Sequence, residues 1–355
     1  MQQPPTGYRP ELDGVRALAV LAVMGFHLSF AIHALRPGFR GGFLGVDVFF
    51  VLSGMLITQV LVTGHLRGGV SLPAFAERRA RRLLPALAAV IAVVVVEREI
   101  AYGQGKAILL GLWATVTYVT TGQHTAPAGP ALGHVWSLVV EWEFYLLWPV
   151  LLVLALRRGW SPSRLAGPVL AAAAALFVVR GLVFAADGDW VFSYHSAWLR
   201  FDELLLGAAV GLAGHRVRVA GWVRTAGLLV LLVIMTRADY ADGWVYQGGM
   251  VLVACAAAVL VAPRVTPWAG DRLLGSAPLV WVGRLSYSLY LWSVPVIAQV
   301  GHEGADWPRP VLAVVAVGLS FGLAAASYWL VEARFRAPAS GSRPRPSRGA
   351  PSSAR

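Results

Sequence analysis

Residues Arg9–Leu28 read RPELDGVRALAVLAVMGFHL, and the run from Gly14 to Ala34 that they open is apolar except for Arg16, His27, Ser29 and His33. About 20 consecutive apolar residues form a helix long enough to cross the hydrocarbon core of a bilayer. The run follows Glu11 and Asp13 rather than a basic n-region, and it holds a histidine, so it is expected to stay in the protein and not to be cleaved as a signal peptide. Further membrane-length stretches recur at Leu44–Thr63, Leu83–Ala101, Val135–Leu156, Leu165–Ala185, Trp198–Gly214, Thr225–Thr236, Val245–Ala262, Leu279–Val300 and Val311–Val331. The expected fold is therefore all-α: a polytopic transmembrane bundle of ten spans.

Composition agrees, with 57% hydrophobic and 14% charged residues, far more apolar surface than a soluble core requires. The formal net charge is +12, yet the basic residues lie scattered between apolar runs instead of gathering on one domain, which argues against nucleic acid as a partner and for the lipid bilayer. The lone Cys255 excludes an internal disulfide and a cysteine-based metal cluster, and its apolar surroundings leave packing as its role. No metal is expected. Residues 337–355 are rich in Pro, Ser, Arg, Ala and Gly and read as a disordered basic tail behind one helical domain spanning residues 1–336.

Charge sets the expected topology. Cytoplasmic loops carry the excess of arginine and lysine. With ten spans and both termini in the cytoplasm, Arg67, Arg78, Arg79, Arg81, Arg82, Arg157, Arg158, Arg164, Arg216, Arg218, Arg224, Arg264 and Arg272 all fall inside, while most loop acids fall outside. The threonine-studded run Ala107–Thr121 is short for a span, and counting it as one would invert every later loop. It reads instead as an interfacial or re-entrant segment at the outer face of the cell membrane.

Ionisable groups inside a span are expensive and point to function. Eleven helical steps separate Arg16 from His27, returning the side chain to within about 20° of the same face and about 16 Å along the axis. His27 is suited to act as a general base towards an acceptor hydroxyl or to become acylated itself; a helix-packing histidine is the plain alternative. Asp13, three residues before Arg16, can pair with it. Asp47, in GGFLGVDVFFVLSG, and Glu141, in HVWSLVVEWEFYLLWP, should sit at the depth of His27, where a buried carboxylate would orient the imidazole. Ser137, Glu141 and Tyr145 share one helical face. The run Glu77–Arg82, ERRARR, places four arginines at the inner end of the third span, either as a positive-inside anchor or as a phosphate site for a nucleotide-bearing donor. Arg180, and Arg200 with Asp202 and Glu203, are further polar intrusions, with Arg200 and Glu203 placed to neutralise each other.

ELDGVRALAVLAVMGFH, GGFLGVDVFFVLSGMLIT, RRARRLLPA, WSLVVEWEFYLLWP, RFDELLLGAAVG, GRLSYSLYLWSVP and SYWLVEARFR occur in this order between Glu11 and Arg336. Together they make the chain resemble the acyltransferase 3 family of membrane O-acyltransferases. The resemblance implies transfer of an acyl group from cytoplasmic acyl-CoA, acetyl-CoA foremost, to a carbohydrate, lipid-linked or small-molecule acceptor. It carries the family's essential pair onto Arg16 and His27, its arginine motif onto Arg78, Arg81 and Arg82, and its carboxylate onto Glu141, and on this reading the phosphates of the donor are expected near Arg16, Arg78, Arg81 and Arg82. The chain departs from the family pattern at Ser293, where a histidine is usual, and at Trp142, where a second acid is usual. The rival reading from another class is a transporter or flippase that moves a glycan or lipid unmodified, because polar groups at mid-depth also mark substrate pathways.

Overall fold

A computed structural model describes residues 8–32, 35–121, 131–265 and 267–336. Among the described residues there is no β-strand, and eleven helices of a dozen residues or more carry the fold: α1 (Pro10–Ala31), α2 (Gly45–Leu66), α3 (Leu72–Tyr102), α4 (Gly105–Thr121), α5 (Trp136–Arg157), α6 (Pro162–Asp187), α7 (Ala197–Ala213), α8 (Gly221–Arg237), α9 (Met250–Val261), α10 (Ala277–Glu303) and α11 (Arg309–Ser327). A π-helical turn, Val245–Gly249, leads into α9, and another, Tyr328–Glu332, extends α11. Five helices are long and apolar enough to cross a membrane by length and composition alone: Pro10–Ala31, Gly42–Leu66, Gly133–Arg157, Pro162–Asp187 and Arg309–Phe335. The arginine-rich start of α3 and the polar positions of α10 keep those two longer helices off that tally, while α7 and α8 are 17 residues each, at the short limit for a span.

The bundle is apolar outside as well as in. On α6 only 11% of the most hydrophobic window is buried, and Val178 and Leu182 face outward, as expected of a helix whose solvent is lipid. Cys255 is likewise exposed on α9, contrary to the packing role its sequence context suggested.

Without a hydrophobic drive between helices, association in lipid depends on close approach and polar ties. Glycine supplies the approach between α2 and α7. A Cβ on Gly54 would lie 1.9 Å from the Leu204 carbonyl oxygen, and one on Gly207 would lie 2.0 Å from that of Val51.

Helix directions follow from these contacts and from the polar ties. Glu141 and Trp148 of α5 bond Ser53 and Thr58 of α2 in ascending order, so α2 and α5 run parallel. Tyr287 of α10 bonds the Leu83 carbonyl of α3, and Glu303 accepts from Tyr102, so α3 and α10 also run parallel. Tyr290 of α10 meets Ser137 and His134 at the start of α5, one turn beyond Tyr287, which lies within electrostatic reach of Glu141 and Tyr145; α10 and α5 are therefore antiparallel. Hence α3 and α5 run in opposite directions. The proposed basic tail, residues 337–355, lies outside the described residues, as do His33 and His124.

Candidate active site

A cavity of about 240 Å³ opens between α1, α2, α3, α5 and α10. Arg16 of α1 lines it together with Arg79 and Arg82 of α3, and Ser53 of α2, Ser137, Glu141 and Tyr145 of α5, and Tyr287 and Tyr290 of α10 complete its polar wall. The apolar wall comes from α2, chiefly Val46, Phe49, Leu52, Leu56 and Ile57.

Each polar group is held by a local device. Asp13 sits 3.6 Å from Arg16, one turn back on the same helix, and accepts a 2.6 Å hydrogen bond from Tyr8. Arg284 donates to Tyr8 at 3.2 Å, so the N-terminal segment and α10 together anchor the acid that holds Arg16. The Arg79 guanidinium stacks 5.7 Å from both the Phe75 and Tyr145 rings, an arrangement that fixes a planar cation without neutralising it. Ser53 donates to Glu141 Oε1 at 2.6 Å and accepts from Tyr145 at 3.4 Å, and Tyr290 donates to the His134 carbonyl at 2.6 Å while sharing a 2.7 Å bond with Ser137. Ser137, Glu141 and Tyr145 do share one face, as their spacing of four predicts.

The arginine run divides by helical phase. Phe75, Arg79, Leu83, Ala86 and Val90 fall on the inward face of α3, and four of these, Arg79 excepted, are buried; Arg82 lies beside them on the cavity. Arg78 and Arg81 are exposed, and Arg81 pairs with Glu77 at 2.6 Å. Of the four arginines assigned to the donor from the sequence, Arg16, Arg78, Arg81 and Arg82, the structure brings Arg16 and Arg82 to the cavity, and it adds Arg79.

Two further expected contacts are replaced by others. Glu141 bonds Ser53 instead of His27. The His27 Nδ1 lies 2.8 Å from the carbonyl of Val23 on its own helix and its ring meets Phe26 edge-on, so the imidazole is partly buried but off the cavity wall. A carbonyl only accepts, so Nδ1 carries hydrogen, leaving Nε2 as the nitrogen able to take a proton. The second correction concerns Asp47, which does not orient His27. It is fully buried 3.2 Å from Arg200, which also lies 3.3 Å from Glu203 and packs on the rings of Phe50, Trp136 and Tyr194. Arg180 completes this network through Asp202 at 2.5 Å and Glu203 at 2.8 Å. The close crossing of α2 and α7 at Gly54 and Gly207 is what delivers Arg200 to Asp47.

His134, for which the sequence analysis offers no role, is buried with its ring 5.3 Å from that of Tyr290 and within electrostatic reach of His27. Among the described residues, neither ring nitrogen has a partner in hydrogen-bond geometry, although the Leu291 carbonyl lies near the ring. Among the described residues, no group of three or more His, Cys, Asp or Glu stands together in a way that could hold a metal ion.

A helical bundle whose cavity gathers three arginines, a carboxylate and several hydroxyls defines a class: a membrane protein with anion-pairing and acid–base groups side by side in one cavity. A family model described as "Acyltransferase domain" matches residues 9–329, and the chain belongs to that family. It is 33% identical to "Putative peptidoglycan O-acetyltransferase YrhL" of Bacillus subtilis (strain 168) over 82% of this chain and 49% of that protein. It is also 29% identical to "Peptidoglycan O-acetyltransferase OatA" of Listeria monocytogenes over 93% of this chain and 56% of that protein. The chain thus spans about half the length of these curated relatives. No solved structure matches it significantly.

Proposed function

We propose that this chain transfers an acyl group, acetyl foremost, from acyl-CoA to a hydroxyl of a surface glycan, with both termini and the arginine-lined mouth on the cytoplasmic side of the cell membrane. The observation that carries the reading is the single cavity joining Arg16, Arg79 and Arg82 to Glu141. Phosphates of the donor bind guanidinium groups in bidentate fashion, and three such groups from two helices suit a ligand with several phosphate oxygens better than one with a single carboxylate. The mean charge of an anchor alone would not require Arg79 to stack between two rings on the cavity side.

With its phosphates at the mouth, the donor thioester extends towards Glu141, Ser53 and Tyr145. His27 lies on the α1 face that begins at Arg16, about 16 Å further along the axis, and its Nε2 takes the proton of the acceptor hydroxyl. The relatives' names, which refer to peptidoglycan, favour a cell-wall glycan as the acceptor. Asp47 serves Arg200 and the α2–α7 contact, not the acceptor. The transport reading has no comparable support, since a carrier needs no phosphate-binding mouth beside a paired serine and glutamate.

The test is ester-linked acetate released by mild base from isolated wall glycan of cells carrying or lacking the gene. Gene-dependent release that disappears in His27→Ala and Arg79→Ala at equal membrane abundance supports the reading. Glycan of unchanged mass, but altered in amount at the surface, would favour transport.

A further inference from the structure

Three hydrogen bonds tie α2 to α5, one at Thr58 and two at Ser53, and the two sites differ in kind. Thr58 and Trp148 are both buried, with the indole nitrogen donating at 2.8 Å, and that bond does what an interhelical tie in lipid requires. Ser53 and Glu141 lie further towards the start of both helices, are only partly buried, and form part of the cavity wall. The serine hydroxyl points its hydrogen at the carboxylate over 2.6 Å while its oxygen accepts from Tyr145. A hydroxyl bonded to a base that is itself fixed, beside a space where a reacting carbon can sit, is the arrangement of an activated nucleophile.

We propose that Ser53 is the residue that carries the acyl group between donor and acceptor, with Glu141 as its base. The proposal rests on the reading that an acyl thioester occupies this cavity. In the first half-reaction Ser53 Oγ bonds to the thioester carbonyl carbon, the serine proton moves to Glu141, and the carbon–sulfur bond breaks. Coenzyme A leaves as thiolate through the arginine-lined mouth and takes a proton from water. In the second half the acceptor oxygen bonds to the same carbon and its proton passes through water to His27, which does not itself line the cavity. The carbon–Oγ bond breaks, Glu141 returns its proton to Ser53, and His27 releases its proton to water, so the chain ends as it began.

The experiment uses the full chain in lipid nanodiscs with acetyl-CoA labelled in the acetyl group and no acceptor. The label is expected on the peptide containing Ser53, stable to acid, released by alkaline hydroxylamine and accompanied by free thiol. Ser53→Ala should lose the label and at least about a hundredfold of glycan acetylation while still binding coenzyme A. Ser53→Cys should regain label in a form now released by neutral hydroxylamine, a change of bond type that a purely structural role of Ser53 would not produce. Transfer by the wild type with no label on Ser53, or near-normal transfer by Ser53→Ala, overturns the proposal. Failure of the wild type to bind coenzyme A overturns the donor reading first, and the serine relay with it.

Discussion

Replacing Arg200 by Met tests what the buried ion network contributes. Asp47, Arg180, Arg200, Asp202 and Glu203 are all fully shielded, which sets two guanidinium groups against three carboxyl groups. Arg200 is the group nearest Asp47, at 3.2 Å, whereas Arg180 is committed to Asp202 and Glu203 at 2.5 and 2.8 Å. Arg200→Met therefore leaves Asp47 buried without its counter-charge, a loss on the order of 3–5 kcal/mol because the desolvation cost remains while the attraction is gone. At about 2–4 °C per kcal/mol, the apparent melting temperature of the detergent-solubilised protein should fall by roughly 10 °C. Adding Asp47→Asn removes the stranded charge, so the double variant should recover part of the loss, with a coupling of about 0.5–3 kcal/mol. Melting by loss of monodispersity after heating reads both effects. An Arg200→Met protein that melts within about 2 °C of wild type, or a double variant no better than the single, would refute the assignment of Asp47 to this network.

The same geometry yields four more expectations. Arg79→Ala and Arg82→Ala should each raise KM for acetyl-CoA about 10–100-fold, the worth of one charge-assisted bond, whereas Arg78→Ala and Arg81→Ala should leave it near wild type in the same steady-state assay. His27→Ala should cost about two to four orders of magnitude in turnover with little change in melting, since its ring bonds only within its own helix. Gly54→Val should separate α2 from α7 and abolish a monodisperse species on gel filtration, because the new side chain meets Leu204 backbone with no flexible neighbour to yield. Asp13→Asn should loosen Arg16 and raise KM for acetyl-CoA more than it lowers kcat, a split visible in initial-rate kinetics.

The sequence and the structure agree where neighbours one turn apart on a single helix decide the matter. The spacing of Ser137, Glu141 and Tyr145 shows a shared face, and Asp13 three residues before Arg16 shows a pair, because side-chain direction along one helix is fixed by its pitch. What could not be read was the rotation of one helix against another. ERRARR offers four arginines on neighbouring positions, and only the burial of Phe75, Leu83, Ala86 and Val90 selects Arg79 and Arg82 for the cavity. That apolar phase was available in the sequence and would have pointed to Arg79. Asp47 and His27 were placed at similar depth, but depth does not name a partner: the glycine contact between α2 and α7 turns Asp47 to Arg200. Ser53, a lone hydroxyl in FFVLSG, gave no signal of its own, because its meaning comes from Glu141 on a helix about ninety residues away.

The most direct measurement is equilibrium binding of coenzyme A to the protein in nanodiscs, by titration calorimetry, for wild type and for the triple variant Arg16→Ala, Arg79→Ala, Arg82→Ala. Binding to the wild type that is lost in the triple variant, and kept when Arg78 and Arg81 are replaced instead, is the predicted result. Equal affinity in wild type and triple variant would contradict the placement of the donor in this cavity.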